Sequence, residues 1–383
     1  MRKAVNFCIS IFSAICLTLN PYASSDGLVQ TDTETVYPSV SATSACIIEC
    51  DSGDTVYEKN STKKMPMAST TKIMTAIIAI ENAPLKKIIT VSSDAVGVEG
   101  SSIYLCENER LTTEELLYAL MLESANDAAC ALAIEIGGNI ENFVDMMNDK
   151  ASSLGLRNTH FTNPHGLSDS EHYSTAQDLA ILMSYCMKNE MFAKITSTKK
   201  FSLDGSDDSY SRLLVNHNRL LGTFDGITGG KTGFTKNAGR CLVTSCERNG
   251  VKLCAVTLNA PDDWNDHKSM YSYGFTIYKR VVLESGGQFE FTAPVCGGDK
   301  NSISAHIQDD VTAVLRVNGC DLKRIVCMRR FYYPGIKEGD IIGYVDYLNG
   351  DISIATAPIY ADFAVEYAED DRGFLEKIKD FIS

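Results

Sequence analysis

The sequence predicts an α+β fold: an antiparallel sheet covered by helices, with a helical subdomain, followed by a small β-sandwich domain. Three observations carry this. Hairpin patterns lie at both ends of a region whose middle is helical, near 45–58 and 241–258. The simple packing is one antiparallel sheet shared by the two ends. Apolar residues at helical spacing fill the stretch between them. From about residue 286 the chain changes to short alternating runs separated by Gly, Pro and Asn. The length of 383 residues suggests two or three domains. A composition 44% hydrophobic and 22% charged is that of an ordinary globular chain.

In chain order, residues 1–25 read as a secretory signal: Arg2 and Lys3, an apolar run from Val5 to Leu19, then small residues at Ala23-Ser24-Ser25. The run is shorter than the roughly 20 residues a membrane span needs. Residues 26–42, rich in Ser, Thr, Asp and Val, form a linker. Ala45 to Glu49 and Thr55 to Glu58 flank the turn Asp51-Ser52-Gly53-Asp54. Residues 69–82 are a helix, with Ile73, Ala76, Ile77 and Ile80 on one face. Thr112 and Glu115 form a capping box for a helix over 113–122. Another helix over 126–137 stops at Gly137-Gly138, and 141–154 and 175–188 are further helices. Cys241 to Cys246 and Val251 to Leu258 are strands joined through Asn249-Gly250, the favoured two-residue hairpin turn. The first globular domain spans 43–285. A β domain follows over 286–368, with strands at 289–295, 303–307, 310–316, 322–328, 340–346, 352–356 and 359–366. The tail, 369–383, carries Phe374, Leu375, Ile378, Phe381 and Ile382 on one helical face. That stripe either lies in a membrane interface, giving peripheral membrane contact, or packs on the preceding domain.

The net charge of −14 gives no electrostatic footprint for nucleic acid. Of the 13 cysteines, Cys8 and Cys16 lie in the signal, and the odd remainder cannot all pair within one chain. Cys130, Cys186, Cys241 and Cys254 sit inside apolar patterns as small core residues. No C-x-x-C and no H-E-x-x-H occurs, so zinc and dithiol chemistry have no motif here. His160, His165 and His172 read as hydrogen-bonding loop residues rather than ligands.

Three short motifs remain. Ser69-Thr70-Thr71-Lys72 puts a hydroxyl and an amine one helical turn apart. Serine is a weak nucleophile until a base takes its proton. Lysine can be that base only when neutral, which burial and a second cation would both favour. Ser124-Ala125-Asn126 lies between two helices, where a hydroxyl can relay a proton and an amide can hold a carbonyl. Lys231-Thr232-Gly233 precedes the Asn-Gly hairpin on or entering a strand. There the Lys and Thr could bind a carboxylate, and the Gly admits a close-lying backbone. It is not a phosphate loop, since position 225 is Asp where that motif needs Gly. Each motif alone is common by chance, and their order is what discriminates.

S-x-x-K, S-x-N and K-T-G in this order resemble the motif set of penicillin-binding proteins and serine β-lactamases. The flanking text, Lys64 to Ala76, Leu120 to Ala128, Phe161 to Leu167, His172 to Leu179, Asn216-His217-Asn218 and Asp225 to Thr235, resembles low-molecular-mass D-alanyl-D-alanine carboxypeptidases. The resemblance is dense over 41–285 and looser over 286–368. It implies a β-lactamase/transpeptidase-like first domain and a serine enzyme that removes the terminal D-alanine of the peptidoglycan pentapeptide. β-Lactam antibiotics would act as inhibitors, and no cofactor or metal would be required.

The resemblance makes Ser69 the nucleophile, Lys72 its base and Ser124 a relay toward the leaving D-alanine. Asn126 would hold the peptide, and Lys231 would hold the Ser124 hydroxyl. Thr232 would bind the carboxylate and Gly233 would admit the substrate. The N–H groups of Ser69 and Phe234 would hold the oxyanion. Such an enzyme works outside the cytoplasmic membrane. Some members grip the carboxylate with an arginine after the second hairpin strand. Here that stretch, Asn259 to His267, has none, and His267 and Lys268 are the nearest cations. The alternatives are a serine β-lactamase and a non-catalytic penicillin- or wall-binding module. A class A lactamase needs a glutamate between the second and third motifs, where this chain has Asn163-Pro164-His165-Gly166. Intact Ser69, Lys72, Ser124 and Lys231 argue against the module.

Overall fold

The computed structural model describes residues 37–204, 211–317 and 320–368. The signal segment, most of the linker and the amphipathic tail lie outside the described residues. The chain divides into a unit over 33–279 and a second unit that begins at residue 280.

In the first unit the hairpin patterns meet as expected. β1 (Ser44–Glu49) pairs antiparallel with β2 (Thr55–Lys59). Helix α1 (Lys72–Asn82) is followed by the short pair β3 (Ile88–Thr90) and β4 (Arg110–Thr112). Then come α2 (Thr113–Tyr118), α3 (Asn126–Gly137), α4 (Ile140–Ser153), α5 (Ala176–Met187) and α6 (Glu190–Ser197). The hairpin β5 (Lys200–Leu203) and β6 (Arg212–Val215) leads into β7 (Ile227–Thr235), β8 (Gly239–Arg248), β9 (Val251–Leu258) and α7 (Asp263–Ile277). The main sheet has the order β2-β1-β9-β8-β7. The first and last hairpins therefore join through β1 and β9, where Cys46 faces Val256 and Ile48 faces Cys254. β7, carrying Lys231-Thr232-Gly233, is left as an edge strand.

Local chemistry explains most boundaries. The capping box forms: Glu115 N donates to Thr112 Oγ1 at 3.2 Å, and Thr112 N donates to Glu115 Oε2 at 2.7 Å. Gly138 closes α3 with φ 78°. Asn249 and Gly250, both left-handed, turn β8 into β9. α1 is buried from Lys72 to Ala79, so it is a central helix rather than a surface one. Cys186, Cys241 and Cys254 are fully buried and Cys130 nearly so; all four are free thiols.

The sequence expectation differs from the structure in several places. α6, α7 and the β3–β4 and β5–β6 pairs had no counterpart in the pattern. α7 carries Asp263, Asp266 and His267 on its buried side, so its face does not read as apolar. Asp266 earns its burial by accepting from Ser41 N, Ser41 Oγ and Ala42 N at 2.8, 2.8 and 3.0 Å. The helix expected over 113–122 is α for six residues and then a π-helical turn, Ala119–Glu123.

The second unit starts within β10 (Tyr278–Glu284) and adds β11 (Glu290–Pro294), β12 (Ser302–His306), β13 (Val311–Arg316), β14 (Leu322–Met328), β15 (Ile341–Asn349) and β16 (Ile352–Ala361). A five-stranded sheet of order β11-β12-β16-β15-β14 accompanies the pair β10-β13. The strands expected at 352–356 and 359–366 are largely one strand, β16. Ile303, Ala305, Val345, Ile359 and Val365 centre its core. A buried carboxylate, Glu284, accepts from Arg324 Nε at 2.8 Å and from the Tyr347 hydroxyl.

Candidate active site

Ser69 stands on a one-turn 3-10 segment, Ala68–Thr71, and α1 begins at Lys72. The turn is strained: Ala68, a residue with a Cβ, has φ 48°. It is held by side chains on both sides. Thr71 Oγ1 donates to Ala68 O at 2.8 Å and lies 2.8 Å from His172 Nε2. Thr162 N donates to His172 Nδ1 at 3.0 Å, so the ring proton sits on Nε2. Burial lowers the His172 pKa to about 4 and keeps the ring neutral. The loop histidine is a hydrogen-bonding residue, as the sequence suggested.

Lys72 is fully buried. Its Nζ is 3.0 Å from Ser69 Oγ, 2.6 Å from Asn126 Oδ1 and 2.6 Å from the carbonyl of His165. Burial first, and the charge of Lys231 second, push its pKa well below that of an ordinary lysine. A neutral amine has two N–H donors and one lone pair. The amide oxygen of Asn126 and the carbonyl of His165 can only accept, so they take the two donors. In its neutral form the amine would have only its lone pair left for Ser69 Oγ, 3.0 Å away. Among the described residues none of the hydrogen-bond partners of Lys72 is a carboxylate.

The partners of Lys72 come from elements brought in by close packing. Asn126 is at the start of α3, and its Nδ2 donates to Glu99 O at 2.5 Å. Its oxygen is therefore committed to Lys72, and one Nδ2 proton remains for a substrate carbonyl. Sequence reasoning gave Asn126 only the substrate role. His165 sits in Asn163-Pro164-His165-Gly166, where Gly166 N donates to Asn163 Oδ1 at 2.7 Å and Thr75 Oγ1 donates to Pro164 O at 2.6 Å. A Cβ on Gly166 would fall 2.0 Å from Ala68 O. In the sequence this tetrapeptide carries the resemblance, but nothing in its residue types marks it as part of the site. Asp127 was missed as well. It is buried and binds Ser102 Oγ at 2.6 Å and Leu105 N at 3.0 Å, fixing the loop beside the cleft.

The π-helical turn delivers Ser124 in the left-handed region, φ 61°, nearly buried. Among the described residues no hydrogen bond joins Ser124 Oγ to Lys231, contrary to the expectation that Lys231 holds that hydroxyl. Lys231 Nζ instead donates to the carbonyl of Thr232 at 3.1 Å. Lys231 is buried, which lowers its pKa to about 7, against a raising effect from Glu123. Gly233 is needed for contact: a Cβ there would lie 3.0 Å from Ser69 N and 3.1 Å from Thr70 N. β7 thus runs directly against the serine turn, with Thr232 half-buried and Phe234 exposed on either side. His267 is not a substitute for the missing arginine. It is buried between Thr244 Oγ1 at 2.7 Å and Thr257 Oγ1 at 3.1 Å, and burial lowers its pKa to about 3.

A part-exposed serine, a buried lysine of lowered pKa behind it and an edge strand beside it fit an acyl-transferring serine hydrolase of the penicillin-binding fold. The sequence model of the D-alanyl-D-alanine carboxypeptidases, peptidase family S11, matches residues 30–262, and the chain belongs to that family. It is 32% identical over 350 residues to the D-alanyl-D-alanine carboxypeptidase DacF of Bacillus subtilis, covering 88% of each chain. To DacC of Escherichia coli it is 29% identical, covering 90% of this chain and 88% of that one. Among solved structures, penicillin-binding protein 5 of Haemophilus influenzae matches 86% of this chain and 99% of its own. The TM-score is 0.63 at 27% identity. The Streptomyces K15 DD-transpeptidase matches 63% of this chain and all of its own, at 31% identity and a TM-score of 0.60. No helix among the described residues is long and apolar enough to cross a membrane.

Proposed function

We propose that Ser69, with Lys72 as its base, hydrolyses the terminal D-Ala-D-Ala bond of the peptidoglycan stem peptide through an acyl-enzyme. The observation that carries this is the buried Lys72 Nζ 3.0 Å from Ser69 Oγ, with two groups that can only accept, Asn126 Oδ1 and the His165 carbonyl, each 2.6 Å from the same nitrogen. The Ser69 proton moves to Lys72 Nζ as Oγ bonds to the carbonyl carbon of the penultimate D-alanine. The oxyanion is held by the N–H groups of Ser69 and Phe234, a reading supported by the close approach of the neighbouring Gly233 to Ser69 N. Ser124 passes the proton to the departing D-alanine nitrogen. Thr232 and the Lys231 charge hold the terminal carboxylate, and Asn126 Nδ2 holds the stem. Water then releases the acyl group. Penicillin acylates the same oxygen. The substrate lies outside the cytoplasmic membrane, which agrees with the signal-like residues 1–25.

The test measures D-alanine release from a Lys-D-Ala-D-Ala peptide beside penicillin turnover. Fast release with slow penicillin hydrolysis supports the proposal. Rapid penicillin hydrolysis without release would make the protein a lactamase, and neither activity would leave a binding module.

A pH dependence follows from the two lysines. Lys231 must carry its proton and Lys72 must not. Because the Lys231 pKa is about 7, its charge is present below that value and lost above it. For the free enzyme, kcat/KM is therefore expected to fall as pH rises through about 7. A profile still rising at pH 9 would show that the Lys231 proton is not required.

A further inference from the structure

The cysteines take no part in the catalytic scheme, yet two of them are in direct contact. Cys50 Sγ donates to Cys254 Sγ at 3.3 Å. Among the described residues no other two thiols share a hydrogen bond. The strands bring this pair together. Cys254 lies on β9 opposite Ile48 of β1. Cys50 comes two residues after Ile48, and its N–H still donates to Lys252 O at 2.9 Å. Side chains two apart on a strand share a face, so Cys50 stands diagonal to Cys254 on one face of the sheet. β1 itself ends at Glu49, and Cys50 is already in the turn that Gly53 N closes onto Glu49 O at 2.9 Å. Bonded sulfurs lie about 2.05 Å apart. Closure therefore asks for a movement of roughly 1.2 Å, which the turn supplies rather than the ladder. Exposure divides the pair: Cys254 is fully buried and Cys50 half-buried. A reagent in solution meets Cys50 first.

We propose that Cys50 and Cys254 are a disulfide-forming site that ties the end of β1 to β9, with a small-molecule disulfide as oxidant. The Cys50 thiolate attacks one sulfur of the reagent. The reagent's S–S bond breaks, one thiol leaves with the proton that Cys50 lost, and a mixed disulfide remains on Cys50. Cys254 then gives up its proton and attacks Cys50 Sγ, expelling the second thiol. Two protein thiols are oxidised to one disulfide and the reagent is reduced to two thiols, so electrons and protons balance. A chain working outside the cytoplasmic membrane, as proposed above, meets oxidising conditions. The competitor is Cys186 on α5, the helix whose Ser184 Oγ donates to Cys50 O at 3.2 Å. Cys186 is fully buried, and no hydrogen bond joins its sulfur to either thiol among the described residues. The pair is independent of the Ser69 chemistry, so it stands or falls apart from that reading.

The test treats the folded full chain with oxidised glutathione. The protein is quenched in acid, alkylated with N-ethylmaleimide in denaturant and mapped by peptide mass spectrometry. The expected product joins Cys50 to Cys254, with glutathione on neither. The exposed Cys106, Cys296 and Cys327 are the internal control and should keep glutathione as mixed disulfides. Cys50→Ser should leave Cys254 fully alkylated, because its route to the reagent is gone. Glutathione persisting on Cys50 beside a reduced Cys254 would overturn the proposal. So would a bond between Cys186 and Cys254, or complete alkylation of both thiols. The two residues are 204 positions apart, and a bond across so long a loop restricts the unfolded chain strongly. The oxidised wild type should therefore melt several degrees above Cys50→Ser treated in the same way. Equal or inverted melting temperatures would show that the bond does not tie the sheet together.

Discussion

Ser69→Ala is expected to abolish both penicillin labelling and D-alanine release, and Lys72→Ala to come close to it while the protein stays folded. Removing the nucleophile of a serine hydrolase costs about 10⁶-fold in kcat. Removing a general base costs about 10²- to 10⁴-fold. The structure places Lys72 at the upper end, because no other basic group lies within hydrogen-bonding reach of Ser69 Oγ among the described residues. The folding side of the comparison is also physical. Lys72 is wholly buried and sits among polar partners that it satisfies. Alanine there leaves Asn126 Oδ1 and His165 O without a donor, at about 1–3 kcal/mol for each. That loss is set against relief from desolvating the amine. Intact-protein mass spectrometry after penicillin shows the adduct, and circular dichroism shows the fold. Wild-type acylation rates in Lys72→Ala would remove lysine from the role of base.

The residues of the proposed site were legible because each motif is local. Ser69 and Lys72 are one turn apart in sequence, and a 3-10 turn running into an α-helix keeps them on one face just as a continuous helix would. Ser124-Ala125-Asn126 falls at the boundary between the π-helical turn and α3, and Lys231-Thr232-Gly233 lies on the strand before an Asn-Gly hairpin. What stayed hidden is what arrives from far along the chain without a side-chain tag. The acceptor for Lys72 is a backbone carbonyl, and any residue at 165 would offer one. Asp127 reads as an ordinary acidic residue at a helix end, and only burial and its partners distinguish it. The π-helical turn was invisible for a similar reason: residues 119–122 are all apolar, and apolar runs do not reveal which residue the last turn will expose.

The same logic explains why α7 was overlooked while the strands around it were found. β8 and β9 are buried on both faces and read as continuous apolar runs. α7 packs on them with His267 and Tyr271, which meet at Thr244 Oγ1, each at 2.7 Å. A buried helix face made of hydrogen-bonded polar groups has no apolar period to detect. Its function is structural: it caps the sheet face away from the serine. For that reason His267 could be mistaken for a substrate-gripping cation only from sequence.

Gly166→Ala is expected to be the most damaging substitution outside the catalytic residues. Gly166 has φ +94°, a conformation that alanine adopts only under strain, and the new Cβ would fall 2.0 Å from Ala68 O and 2.9 Å from Ser69 N. The atoms it strikes are backbone, so no side chain can rotate away. Either the 163–166 loop or the serine turn must move. Strained backbone costs about 1–3 kcal/mol, and forcing an extra methyl into a packed interior adds about 1–3 kcal/mol. Moving the loop carries the His165 carbonyl off Lys72. Moving the turn shifts Ser69 against the amine and against Gly233. Either displacement breaks the 3.0 Å approach of Lys72 Nζ to Ser69 Oγ, so acylation should slow by about 10²-fold for a misplacement near 1 Å. Thermal denaturation measures the stability loss, and penicillin acylation measured well below the melting temperature isolates the positional one. A Gly166→Ala protein that acylates at the wild-type rate would mean the loop can retreat without Lys72 following. The His165 carbonyl would then have no part in orienting the base.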